Sequence, residues 1–303
     1  MADLICLGEA MVELNQQTNG QYAQGFGGDT SNCAVAAARA GANVEAIGAL
    51  GQDFFGQQIS DLWQTENIAN QNIYRDSTNP TGLYLVTHDD AGHHFHYYRK
   101  GSAASLYGAD QLPKDAIKNA KILHVSGISL AISDIACKAV YAAIEVAKDN
   151  GVAVSFDTNL RLKLWPLSKA QRVINDVAAM ADYLLPGLDD AQLLTNLETS
   201  EDICAYYHDL GTKNIALTLG AEGVYLSQDG AGQLINGRKV KAVDATGAGD
   251  TFDGNFLARI LAGDSLVEAT NYANVAASIA VQGYGAIAPM PTQKQVMEIM
   301  NAQ

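Results

Sequence analysis

Residues 121–159, KILHVSGISLAISDIACKAVYAAIEVAKDNGVAVSFDTN, place an apolar run, a segment of helical period and a second apolar run in succession. The runs KILHVSGI and VAVSFDTN are apolar nearly throughout, the pattern of strands covered on both faces. The segment between them ends at Gly151, where a left-handed C-terminal cap favours glycine. Strand, helix and strand in this order predict α/β wiring around a mainly parallel sheet. The same alternation extends outward. LICLG (4–8), VEAIGAL (44–50), YLLPG (183–187) and NIALTLG (214–220) read as further strands. TSNCAVAAARAGA (30–42), with Gly41 at its cap, and SKAQRVINDVAAMAD (168–182) read as further helices.

One region departs from this rhythm. NIYRDSTNPTGLYLVTHDDAGHHFHYYRKG (72–101) alternates polar and apolar residues, and DDAG supplies a hairpin turn between two strand patterns. Together with the polar stretch MVELNQQTNGQYAQGFGG (11–28), it predicts a small sheet standing off the main domain as a lid. The expected organisation is one α/β domain over 1–303, with the lid built from about 12–27 and 72–101. Exposed strand edges tend to be paired or covered, so the lid is also the expected surface for a homo-oligomer.

Bulk composition excludes several classes. With 303 residues and 48% apolar composition, the chain can bury a large core. No apolar run reaches the roughly 18–20 residues of a membrane span, and MADLICLGEAMVEL has no basic start of the secretory kind. A cytoplasmic protein that binds no membrane is expected. Its formal charge of -14 argues against nucleic acid as a partner. Cys6, Cys33, Cys137 and Cys204 show no paired spacing and read as reduced thiols.

The most informative turn lies in KAVDATGAGDTFDGNFLARILAG (241–263). Gly247, Ala248 and Gly249 precede Phe252, Phe256, Leu257, Ile260 and Leu261 at helical spacing, so the turn feeds a helix N-terminus. Small residues let a ligand approach the backbone, and unpaired N–H groups with the positive end of the helix dipole favour an anion. An ordinary strand-to-helix turn would use the same glycines. A dinucleotide fingerprint fails because Phe252 stands where its last glycine belongs, and a P-loop fails because no lysine follows. If the anion is the γ-phosphoryl group of a nucleotide, Asp250 is placed to align a hydroxyl and accept its proton. The helix N-terminus is expected to lower the pKa of that carboxylate. A weak base suffices where positioning and charge neutralisation carry most of the rate. Asp244 is expected to order the cradle.

DATGAGD (244–250) resembles the C-terminal signature of the ribokinase-like, or PfkB, carbohydrate kinases. GGDTSNCAVAAARAGANVEAIGALGQDFFG (27–56) is similar to the first signature of that family, with Gly27, Gly28, Asn32, Gly41 and Gly51 in place. Thr30 is a mild departure. The resemblance covers essentially the whole chain and implies a three-layer α/β/α sandwich with a mainly parallel central sheet and a small β-sheet lid. HYYRKGSAA, ILHVSGI and DTNLRLKLW look most like the 2-keto-3-deoxygluconate kinases of the family, which phosphorylate the 6-hydroxyl of a keto-deoxy sugar acid with ATP and Mg²⁺.

Carried over by position, the resemblance implies Asp250 as catalytic base, with Gly247, Ala248 and Gly249 as anion hole. It places Gly28, Asn32, Tyr84, Tyr97, Arg99 and Arg161 at the sugar. Gly220 and Asn274, with Gly247 and Gly249, fall to the nucleotide. Family members often carry N-x-x-E near magnesium; here Gly187 and Asp190 stand in that pattern, leaving Asp190 as the carboxylate that would reach the metal through water.

Residue chemistry supports part of this. Tyr97 and Arg99 lie two apart on one strand face, and a guanidinium there can grip a carboxylate bidentately. Arg161 follows a buried-strand pattern at its C-terminal end, where open α/β sheets bind ligands. Two arginines suit a sugar acid in an otherwise acidic chain. Tyr84 serves equally as a core aromatic of the lid. His93, His94 and His96 lack nearby carboxylate or thiol ligands and are assigned no metal. A sugar-acid kinase is therefore the leading expectation. A fructokinase or ribokinase acting on a neutral sugar, and a non-catalytic sugar or nucleotide sensor, are the alternatives.

Overall fold

The computed structural model describes residues 1–89 and 92–302. Its strands are β1 (Leu4–Leu7), β2 (Met11–Gln16), β3 (Tyr22–Gly27), β4 (Val44–Ile47), β5 (Ala49–Gly51), β6 (Tyr74–Asp76) and β7 (Leu83–Asp89). They continue as β8 (Gly92–Tyr98), β9 (Ile122–Ser126), β10 (Ala153–Asp157), β11 (Tyr183–Leu184), β12 (Asn214–Thr218), β13 (Gly223–Gln228) and β14 (Ala231–Asn236). The eight-stranded sheet runs β14-β13-β12-β11-β10-β9-β1-β4. Strands β4 through β12 in this order pair in parallel, and β13 and β14 join antiparallel at the edge.

Alternation along each strand divides the core between two faces. In β1, Ile5 and Leu7 enter one hydrophobic cluster while Leu4 and Cys6 enter the other. In β12, Ile215 and Leu217 oppose Ala216 in the same way. The first face packs against helices Asp134–Asp149, Leu167–Ala178 and Ser200–Leu210, and the second against Asp29–Arg39, Ala248–Ala262 and Leu266–Ala280. Burying a large apolar side chain contributes roughly 1.5–3 kcal/mol, so two filled layers hold the sheet in a three-layer sandwich. Gly41 and Gly151 follow their helices at φ 95° and 72°, as their sequence positions predict.

Two elements differ from the sequence reading. VEAIGAL divides at Gly48, where φ is 144° and a Cβ would stand 2.4 Å from the Gly8 carbonyl oxygen. Its second half, β5, leaves the main sheet and pairs with β6. The hairpin β13–β14 is an addition. Its signal is Asp229-Gly230, both at positive φ (48° and 88°), a two-residue turn of the kind that matches strand twist.

A second sheet has the order β3-β2-β7-β8. Each half is an antiparallel hairpin, and β2 joins β7 in parallel with Val12 opposite Leu83 and Glu13 opposite Tyr84. Asp90 and Ala91 of the expected DDAG turn lie outside the described residues. Residues 74–76 of the expected lid segment belong to the β5–β6 pair instead. Met11, Tyr84 and Val86 form the small sheet's own buried cluster.

Candidate active site

Some helix starts in this chain are satisfied by cap side chains. Ser133 Oγ accepts the Ala136 N–H, and Ser265 with Glu268 closes a capping box on helix Leu266–Ala280. Helix Ala248–Ala262, like Asp29–Arg39, has no such side-chain cap. Its cap is Gly247, left-handed at φ 73°, with no side-chain hydrogen bond. Ala248 N donates to the Ala245 carbonyl at 3.1 Å, so among the described residues it is the amides of Gly249 and Asp250 that are left to a ligand or solvent. Asp244 orders the approach, its Oδ1 accepting from Thr246 N at 2.9 Å and its Oδ2 from Gly285 N at 2.9 Å. A Cβ at Gly249 would meet no atom within 4 Å, so the backbone there borders open space.

That space is a cleft of about 700 Å³ between the small sheet and the C-terminal ends of the parallel strands. Ile128 follows β9, Asp157 ends β10, Leu185 follows β11 and Thr218 ends β12, and all four line it. From the small sheet come Tyr84, Phe95 and Tyr97, with Arg99 just beyond β8. Tyr84 and Tyr97 are cross-strand partners with ring centroids 5.6 Å apart. The Tyr84 hydroxyl donates to Glu13 Oε2 at 2.6 Å.

Asp250 sits in the first turn of the uncapped helix, and its Oδ2 accepts from Asn32 Nδ2 at 2.7 Å. Burial raises its carboxyl to about 7; repulsion from Asp29 adds to the rise, while the Asn32 bond and Arg161 oppose it. The lowering expected from the helix dipole is thus overturned, because desolvation outweighs it here. The result is a carboxyl group that titrates near neutrality. Asn32 Oδ1 is buried with no partner among the described residues, a vacant acceptor. Gly28, at φ 109°, lines the cleft beside it, and a Cβ there would strike the Glu9 carbonyl oxygen at 2.1 Å.

Sequence reading missed three acids beneath Asp250. Asp253 lies one turn on along the same helix face, is 3% exposed and is hydrogen-bonded to Asp157. Burial, then Asp157, pushes the Asp253 carboxyl well up, and burial, then Asp250, does the same to Asp157. Asp29 completes the group, its Oδ2 accepting from Asn159 Nδ2 at 3.2 Å. The spacing of Asp250 and Asp253 was the available signal.

Arg161 lines the cleft half-exposed, with Nη1 donating to the Leu160 carbonyl at 2.8 Å and its closest carboxylate oxygen, from Asp190, at 4.0 Å. Arg99 differs from expectation. Its Nε donates to Glu9 Oε2 at 2.7 Å and its Nη2 to the same oxygen, so it is not a free cation in this geometry. Asp190 lines the cleft and its Oδ2 accepts from Leu160 N at 2.8 Å; burial raises its carboxyl, and that bond opposes the rise. Gly220 and Asn274 are not among the residues lining the cleft; Asn274 Nδ2 donates to the Asn236 carbonyl at 2.9 Å. His94 and His96 bond to Asp89 and Thr87, and the side chain of His93 lies outside the described set.

The geometry fits a nucleoside triphosphate: the free amides of Gly249 and Asp250, an open face at Gly249 and an acid beside them. Among the described residues no group of three or more His, Cys, Asp or Glu is placed to hold a metal. A magnesium ion arriving with the nucleotide would keep phosphate and water ligands, and the unbonded Oδ1 of Asp190 is suited to one such water.

Comparison with known proteins agrees with this fold. The chain is 34% identical to a 2-dehydro-3-deoxygluconokinase of Thermoproteus tenax, covering 100% of this chain and 95% of that one. It is 32% identical to a probable chloroplastic fructokinase-6 of Arabidopsis thaliana, covering 98% and 82%. The fold superposes on a fructokinase with bound ATP from Xylella fastidiosa at a TM-score of 0.91 and 25% identity, covering 100% and 99%. The family model described as pfkB family carbohydrate kinase matches residues 1–293. With the ribokinase-like sandwich, its small separate sheet and the uncapped helix bearing Asp250, the chain belongs to the pfkB family of carbohydrate kinases.

Proposed function

We propose that this kinase transfers the γ-phosphoryl group of ATP to the terminal 6-hydroxyl of 2-keto-3-deoxygluconate. The observation that carries the reading is Asp250 in the first turn of a helix whose amides have no side-chain cap and border the cleft. In this reading Gly247, Ala248 and Gly249 cradle the phosphoryl oxygens. Asn32 orients Asp250 through its Nδ2 and offers Oδ1 to a sugar hydroxyl. Asp250 accepts the 6-hydroxyl proton as the new O–P bond forms and the bond from the γ-phosphorus to the bridging oxygen breaks, leaving ADP. Magnesium, when bound, shields the phosphate charge. Gly28, Tyr84 and Tyr97 face the sugar, while Gly220 and Asn274 stand farther out, on the side proposed for the rest of the nucleotide.

Support for a sugar acid comes from Arg161, a half-exposed cation among the cleft's carboxylates, and from the full-length similarity to 2-dehydro-3-deoxygluconokinases. A neutral ketohexose is the second reading, favoured by the fructokinase relatives. A coupled ADP-release panel over keto-deoxy sugar acids, fructose, ribose and nucleosides separates them. The acid should give the highest kcat/KM; a higher value for fructose would replace it.

A further inference from the structure

Glu9 follows β1 and is 2% exposed, yet nothing in the reaction so far uses it. Its Oε2 receives both Nε and Nη2 of Arg99, and its Oε1 receives Ser102 Oγ at 2.9 Å. Two glycine backbones approach it closely. A Cβ at Gly82, at the foot of β7, would lie 2.7 Å from Glu9 Oε1, and a Cβ at Gly28 would lie 2.1 Å from the Glu9 carbonyl oxygen. Arg99 itself is 8% exposed, borders the cleft and sets its Cζ 5.5 Å from the Tyr97 ring centroid. Its Nη1 has no acceptor among the described residues.

Resting on the sugar-acid reading, we propose that Glu9 is a specificity-determining residue. By pairing with Arg99 it balances the charge of that guanidinium and fixes Nη1 toward the cleft as a donor to a sugar oxygen. Selection for a carboxylate is thereby left to Arg161. A buried ion pair is hard to separate, because removing one partner strands the other in a poorly solvating site. Arg99 therefore keeps its partner when substrate arrives. Arg161, with its closest carboxylate oxygen at 4.0 Å and half its side chain in solvent, has charge to offer. The pairing also ties the end of β1 to the end of β8, so the donor's position is set by the main sheet.

The test is calorimetric binding of 2-keto-3-deoxygluconate, its carboxamide and fructose to the full chain and three variants. Arg99→Ala should weaken both the acid and the carboxamide, the acid somewhat more because Glu9 loses its countercharge. Arg161→Ala should weaken the acid by about tenfold or more and leave the carboxamide within about twofold. Glu9→Gln, which keeps the hydrogen-bonding shape and removes the charge, should tighten the acid relative to the carboxamide. Loss confined to the acid in Arg99→Ala, or equal weakening of both ligands in Glu9→Gln, overturns the assignment. If Glu9→Gln does not fold, the two arginine variants still decide it. Should wild type bind acid and carboxamide equally, the sugar-acid reading fails. The role of Glu9 is then read from fructose, which Arg99→Ala must weaken and Glu9→Gln must leave unchanged.

Discussion

The surroundings of Asp250, the proposed base, oppose its charge. Burial first, and Asp29 second, hold its carboxyl near 7, so below that pH it is protonated and cannot accept a hydroxyl proton. kcat should rise through a midpoint near 7 and flatten by about pH 8. A pH-independent kcat between 5.5 and 8.5 would contradict this assignment. The same shift has a stability sign. The folded-state value of about 7 exceeds the ordinary 3.8, so the folded form binds the proton more tightly. Stability from this group is full below about 3.8 and is lost as pH rises through 7. Asp250→Asn should therefore raise unfolding free energy at pH 8 by up to about 4 kcal/mol, read from denaturant melts, and by far less at pH 4. The aspartate and its helix were legible in DATGAGDTF. Its basicity was not, since burial in the cleft and the approach of Asp29 from a distant helix start are tertiary facts, as is the Arg99–Glu9 pairing.

At the scale of elements, the two glycines flanking Ala248 separate folding from chemistry. Gly247 holds a left-handed conformation, and a Cβ there would meet Ala286 at 3.0 Å. Gly247→Ala should lower stability by about 1–2 kcal/mol. Gly249 has open space where its Cβ would be, so Gly249→Ala should leave Tm unchanged while filling part of the phosphate cradle. A fall in kcat/KM for ATP of about tenfold or more is expected; unchanged kinetics would place the phosphates elsewhere. Continuous apolar runs were sufficient to predict the parallel strands. They could not show the break in VEAIGAL, because close approach of Gly48 to Gly8 is a tertiary fact. The β13–β14 hairpin was readable from Asp229-Gly230 alone.

For the whole molecule, the sandwich positions the strand ends and the smaller sheet covers them. Closure of that sheet would exclude water and protect ATP from hydrolysis. Its outer strands β3 and β8 are edges, with Tyr22 46% and Tyr98 61% exposed. Two copies are proposed to pair there, and light scattering should give twice the chain mass. Tyr98→Glu should return the protein to single chains; a wild-type monomer at micromolar concentration would remove the proposal. Polar-apolar alternation in the sequence announced this sheet. The parallel joint between its halves was not announced, because register between distant segments is settled by packing.

The most direct measurement is ADP release by Asp250→Asn with 2-keto-3-deoxygluconate, set beside its affinity for ATP. Turnover should fall by about a thousandfold or more while nucleotide binding stays within about threefold of wild type. Turnover near the wild-type rate would show that another group takes the proton and that the uncapped helix is not the site of transfer.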